Sequence, residues 1–186
     1  MTDAPRTGFA ASPPDALTAG STESVVLIRV KGHGSFRISQ TMKEYCVWML
    51  GEGCSQFIFD MKACDGMDST FMGVVAGIAR HLPKESVVMI NLDNRPAQSV
   101  RTLGLDRLIL CNPNGSVLEV LKQKMGTITN MANLVAENGD KRTVARTLLE
   151  AHEVLAAVAS SDKRSEFKDA IECLKKEVEK LDGSAK

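Results

Sequence analysis

Aromatic side chains are scarce in this chain: one Trp, one Tyr and six Phe make up 4% of 186 residues. A surface that stacks nucleic-acid bases needs several exposed rings, so nucleic acid is not an expected partner. An excess of either charge is also missing, because 23 Lys and Arg balance 23 Asp and Glu. No global field draws phosphate backbones or anionic lipid. The five cysteines, Cys46, Cys54, Cys64, Cys111 and Cys173, form no CxxC pair and no Cys/His cluster. An odd, scattered set reads as reduced thiols in a cytoplasmic protein, some of them core filler. His33, His81 and His152 lie far apart and in no HExxH pattern. GxSxG, GxxxxGK(S/T) and GxGxxG are absent too, and Gly32-His33-Gly34-Ser35 reads as a turn. No catalytic residue, cofactor site or metal site is therefore expected. No apolar run approaches the roughly 18 residues of a membrane span, and nothing resembles a signal peptide, so no membrane insertion is expected.

Hydrophobic residues make up 44% of the chain, enough for one ordinary domain with an appendage. Residues 1–22, rich in Ala, Pro, Thr and Ser, read as a disordered tail. Val25–Val30 is a β-branched run that predicts a strand. Ser39 is the expected cap of a helix whose apolar face carries Met42, Tyr45, Cys46 and Met49. Gln56–Met61 predicts a second strand, and residues 69–81 a helix ending before Pro83. Val87–Ile90 predicts a strand, 95–103 a helical segment stopped by Gly104, and Arg107–Leu110 a last strand. Near-continuous apolar strands alternating with helices define an α/β domain over 23–112, its central strands packed against helices. Residues 113–186 read as a helical extension, with helices expected near 117–125 and 142–159 and a turn at Asn138-Gly139-Asp140. In its last part Phe167, Ile171, Leu174, Val178 and Leu181 follow a 4-3-4-3 spacing. That seam suits a helical hairpin closing on itself or on the domain, or else a homodimer contact or partner-docking element.

The chemistry centres on Asp68-Ser69, at the start of the helix over 69–81. The first N–H groups of a helix lack intrahelical partners and carry partial positive charge. Asp68 or Ser69 can cap them, and a phosphate on Ser69 can be held by them. Such a phosphate adds nearly two negative charges beside Asp68 and near Asp65. Gly73 and Gly77 follow one turn apart on the same helix face. Glycine inside a helix costs about 1 kcal/mol relative to Ala. Two of them predict a close approach, either by the sheet or by a partner.

Four segments together, Phe57–Met61, Met67-Asp68-Ser69-Thr70-Phe71-Met72-Gly73, Val87–Asn91 and Leu103-Gly104-Leu105-Asp106-Arg107-Leu108, resemble the STAS domain, named for sulfate transporters and anti-sigma factor antagonists. The resemblance covers residues 24–111. It implies a mixed four- to five-stranded sheet with helices on one face. It also implies that Ser69 is a phosphoacceptor whose kinase is itself an anti-sigma factor. The unphosphorylated form then sequesters that kinase, and a PP2C-type phosphatase resets the switch. Antagonists of this family often carry Ser-Gly after the phosphoserine, whereas this chain has Thr70-Phe71, which makes Thr70 a second candidate acceptor. The partner-facing set is expected to be Asp68, Ser69, Thr70, Met72, Gly73 and Gly77. A second reading is a scaffold subunit of a transporter or stress-sensing assembly, a role in which STAS-like domains also serve.

Overall fold

The computed structural model describes residues 15–135 and 139–183, the side chains of 161 and 162 excepted. Its elements in chain order are β1 (Ala16–Thr22), β2 (Val25–Gly34), α1 (Phe36–Gly51), β3 (Gln56–Met67), α2 (Ser69–Ala79), β4 (Val87–Ile90), α3 (Asn94–Thr102), β5 (Leu110–Cys111), α4 (Gly115–Gly126), β6 (Ala132–Leu134), α5 (Lys141–Val158) and α6 (Ser161–Gly183). Among the described residues, six strands form one mixed sheet in the order β5-β4-β3-β2-β1-β6. β2, β3, β4 and β5 run parallel, with β2–β3, β3–β4 and β4–β5 as the pairs. β1 lies antiparallel to both β2 and β6.

Alternation along the strands divides the core in two. Val26, Ile28 and Val30 of β2, Phe57, Phe59 and Met61 of β3, and Val87 and Met89 of β4 point to the face covered by α1, α2 and α3. Val25, Leu27, Ile58, Val88 and Ile90 point to the opposite face and pack with Leu121 of α4 and with Ile128. This period-2 alternation within continuous apolar runs is what a sheet buried on both sides requires. The fold is thus the STAS-like mixed α/β arrangement with a helical extension. It is widened to six strands, and α4 covers a second face.

Several local expectations shift. The tail does not reach residue 22, because Ala16–Thr22 forms β1, joined to β2 by a tight Glu23-Ser24 turn. Residues 1–14 of that expected tail lie outside the described residues. The first helix starts at Phe36 with Ser35 at its cap position, four residues before the expected start after Ser39. The cause is a distant carboxylate: the Phe36 N–H donates to Asp68 Oδ2 at 2.7 Å. Ser39 is instead fully buried, its hydroxyl donating to the Ser35 carbonyl. The last parallel strand shrinks to Leu110–Cys111. Gly104 takes the left-handed conformation (φ 75°) and leads into a 3-10 turn over Leu105–Arg107 that buries Leu105. The expected helix near 117–125 is α4, and that near 142–159 is α5, capped by Asp140, whose carboxylate accepts from the Arg142 and Thr143 N–H groups. Asn138, in the expected turn before it, lies outside the described residues.

The extension expected over 113–186 is not helical throughout: after α4, β6 joins the sheet beside β1, and α5 and α6 then fold as a hairpin that docks on the domain. Ala151, Val154, Leu155, Ala159 and Phe167 belong to the same core cluster as α1, α2 and the sheet. Leu155 is completely buried. Fully burying each of the larger side chains contributes about 1.5–3 kcal/mol, so the hairpin is an integral layer of this structure.

Candidate functional site

Asp68 organises the site. Its Oδ1 accepts from the Phe71 N–H at 2.8 Å and so caps α2, while its Oδ2 accepts from the Phe36 N–H and so caps α1. One carboxylate therefore holds two helix N-termini together, where its charge also complements both dipoles. Asp68 is fixed further by its own N–H, which donates to the Gly34 carbonyl. With capping assigned to Asp68, Ser69 is the first residue of α2 and its hydroxyl is not needed for the cap.

That hydroxyl meets the C-terminal hairpin instead. Ser69 Oγ lies 3.2 Å from His152 Nε2 on α5. His152 Nδ1 lies 2.7 Å from the Leu148 carbonyl oxygen. A carbonyl only accepts, so Nδ1 carries a proton, and in the neutral ring Nε2 accepts the Ser69 O–H. Phe167 of α6 packs edge-on against the imidazole, with centroids 6.0 Å apart, and restrains it from the other side.

The rest of the expected partner-facing set is mostly covered. Thr70 is 3% exposed and Met72 5%. Gly73 faces the backbone of α5: a Cβ there would collide with the Ala151 carbonyl and approach the Ala151 Cβ to 2.7 Å. The close approach anticipated from Gly73 and Gly77 is thus made neither by the sheet nor by a separate molecule, but by the chain's own α5. Gly77 has open space over it, with no atom within 4 Å of where a Cβ would stand. It lines a cleft of about 270 Å³ between α1, α2 and α5, walled by Val47, Leu50, Ile78 and Val154. The Lys43–Glu150 ion pair joins α1 to α5 beside this cleft, and Thr147 donates to Gln40 near it.

Two glycines carry the docking. Beside Gly73, Gly104 has its missing Cβ position 3.0 Å from the Val158 carbonyl oxygen at the end of α5. Lys175 pairs with Glu153 at 3.0 Å between the two helices of the hairpin. At the hairpin's free end Asp182 accepts from Arg142 and Arg146, and these guanidinium groups hold its carboxyl below the usual carboxylate range.

Sequence reasoning located Asp68, Ser69 and the glycine stripe but missed His152, which lies 83 positions from Ser69. A lone histidine in an amphipathic helix gives no sign of where it docks. His81, exposed just past the end of α2, accepts from its neighbour Arg80. All five cysteines are free thiols. Burial raises the Cys46 thiol far above its ordinary range and pushes Cys111 up to about 11, so both are poor nucleophiles. No group of metal-ligating side chains is found among the described residues, and no helix there is long and apolar enough to cross a membrane.

The family model of the STAS domain matches residues 16–117, more than half of the chain, and the chain belongs to that family. The match spans β1 to the start of α4 and leaves the hairpin outside it. Among solved structures, the anti-sigma factor antagonist SpoIIAA in its unphosphorylated form is 18% identical with a TM-score of 0.47, covering 60% of this chain and 98% of that one. The Bacillus cell fate determinant SpoIIAA in its phosphorylated form gives the same identity and TM-score, over 58% and 98%. An anti-sigma factor antagonist from Mycobacterium paratuberculosis is 16% identical with a TM-score of 0.46, over 59% and 95%. No curated protein sequence matches the chain.

Proposed function

We propose that this protein is a phospho-regulated interaction switch of the anti-sigma factor antagonist type, with Ser69 as its phosphoacceptor. The observation that carries this reading is the division of labour at the start of α2: Asp68 caps the helix, and the Ser69 hydroxyl stays out of the cap at its positive end. Membership of the STAS family supports the class of function. Thr70, the alternative acceptor, is buried, which favours Ser69. The partner is an anti-sigma factor kinase bound by the unphosphorylated form, and a PP2C-type phosphatase removes the phosphate. The protein works by binding and not by catalysis.

The switch is electrostatic. A phosphate at Ser69 places nearly two charges beside Asp68, whose carboxylate is already committed to two helix termini. The helix amides accommodate the anion within the domain. At an interface, however, a desolvated charge without a counterion costs several kcal/mol, so phosphorylation weakens docking. Calorimetry with the kinase purified from the native cell tests this. Ser69→Ala binds, and Ser69→Asp binds at least about tenfold more weakly, equivalent to 1.4 kcal/mol. Equal affinities would refute the switch.

A further inference from the structure

We infer that the face of α2 carrying Ser69, Met72 and Gly73 is a helix-docking surface whose resident occupant is the chain's own α5–α6 hairpin, and that a partner reading Ser69 reaches it by displacing that hairpin. This rests on the reading of Ser69 as the switch residue. The surface fits a helix with a small residue at the crossing point and apolar residues one turn further on. α5 has that form, with Ala151 over Gly73 and Val154 and Leu155 entering the core. The backbone approach at Gly73 is too close for a second helix to enter while α5 remains, so the two occupants exclude each other.

A phosphate on Ser69 and the Ser69–His152 hydrogen bond to the hairpin exclude each other as well. The 3.2 Å between Ser69 Oγ and His152 Nε2 is one hydrogen bond wide and has no room for a phosphorus with its oxygens. Phe167 against the imidazole and the Nδ1–H bond to Leu148 restrain the ring from turning aside. The docked chain is therefore a third state, neither phosphorylated nor partner-bound. Kinase access to Ser69, and docking of a partner on Met72 and Gly73, both draw on the open state. The polar ties from α5 to α1 are few, Lys43–Glu150 and Thr147–Gln40, but detachment also exposes Val154, Leu155 and Phe167 from the shared core, so the open state is a minor one reached by sub-global opening.

Two measurements on the full chain test this. In the first, Ser69→Cys is made with Cys111→Ser and Cys173→Ser, and maleimide labelling of the new thiol is timed. Labelling is slow, and adding Ala151→Leu, which enlarges the crossing residue against Gly73, accelerates it by about tenfold or more. In the second, Lys43→Cys and Glu150→Cys are bridged by a short bis-maleimide, and hydrogen exchange over residues 69–73 is followed. The bridge slows that exchange relative to the unbridged variant. Labelling at the rate of a free thiol and insensitive to Ala151→Leu, or exchange unchanged by the bridge, would overturn the inference. Neither measurement uses a kinase, so either failure leaves the phospho-switch standing. A Ser69 that never carries phosphate in cells removes the switch without altering either result.

Discussion

The two halves of α2 are treated differently by the rest of the chain. At its first turns Asp68 is locked between two helix termini, Thr70 and Met72 are buried, and Gly73 lies under the backbone of α5. One turn later the same stripe opens, and Gly77 faces an unfilled cleft beside Val47 and Ile78. Glycine at 73 is a steric necessity of the docked hairpin, whereas glycine at 77 is not required by any neighbour. The end of α2 that carries the candidate phosphoacceptor is thus the end that the appended helices cover. In this chain an extension outside the family domain lies over the helix face that carries the proposed switch residue.

The sharpest way to break this contrast is to add the same methyl group at both glycines. Gly73→Ala strikes backbone, which has little freedom to yield, and is expected to cost about 3 kcal/mol, the upper end for overpacking. Urea unfolding reads the loss, and hydrogen exchange localises it to α5 and α6. Asp68→Ala removes acceptors for both Phe36 and Phe71 N–H groups and is expected to cost about 1–2 kcal/mol, with faster exchange at the starts of α1 and α2 together. Gly77→Ala meets open space and replaces a poor helix former, so it is expected to stabilise by up to about 1 kcal/mol. Opposite signs at 73 and 77 would sharpen the comparison, and equal effects would break it.

The smallest expected effect concerns acid and the far end of the hairpin. Asp182 has a carboxyl held below its ordinary range by Arg142 and Arg146. A carboxylate depressed in the folded state contributes stability above its unfolded pKa and loses it as pH falls through the folded value. Protection at the end of α6 is therefore expected to decline as pH drops below the ordinary carboxylate range. Asp182→Asn is expected to remove that pH dependence, followed by hydrogen exchange of residues 176–183. The group is solvent-exposed, so the change is small.

What the sequence made legible was what local pattern specifies. The strands at Val25–Val30, Gln56–Met61 and Val87–Ile90 are largely apolar runs and each was found, but β2 runs on to Gly34, through the segment read as a turn, and β3 to Met67, because pairing between β2 and β3 rather than an apolar pattern carries those ends. The start of α2 was legible because Asp-Ser before an apolar helix is a local cap signal. β1 was not, because Ala16–Thr22 has no β-branched run and is held by pairing with β2 and β6 rather than by its own propensity. The early start of α1 was hidden because its cap comes from Asp68, 32 positions away. The glycines at 73 and 77 announced a close neighbour but not its identity. That depended on where α5 docks, which no local pattern encodes. The seam from Phe167 to Leu181 was readable as a helix face, and the structure turns it into the second arm of a hairpin.

The most direct test is phosphosite mass spectrometry on the protein isolated from its native cells, in growth and under stress. Phosphate on Ser69, with an occupancy that changes between the two conditions, is the predicted result. A Ser69 without phosphate in every condition would contradict the switch.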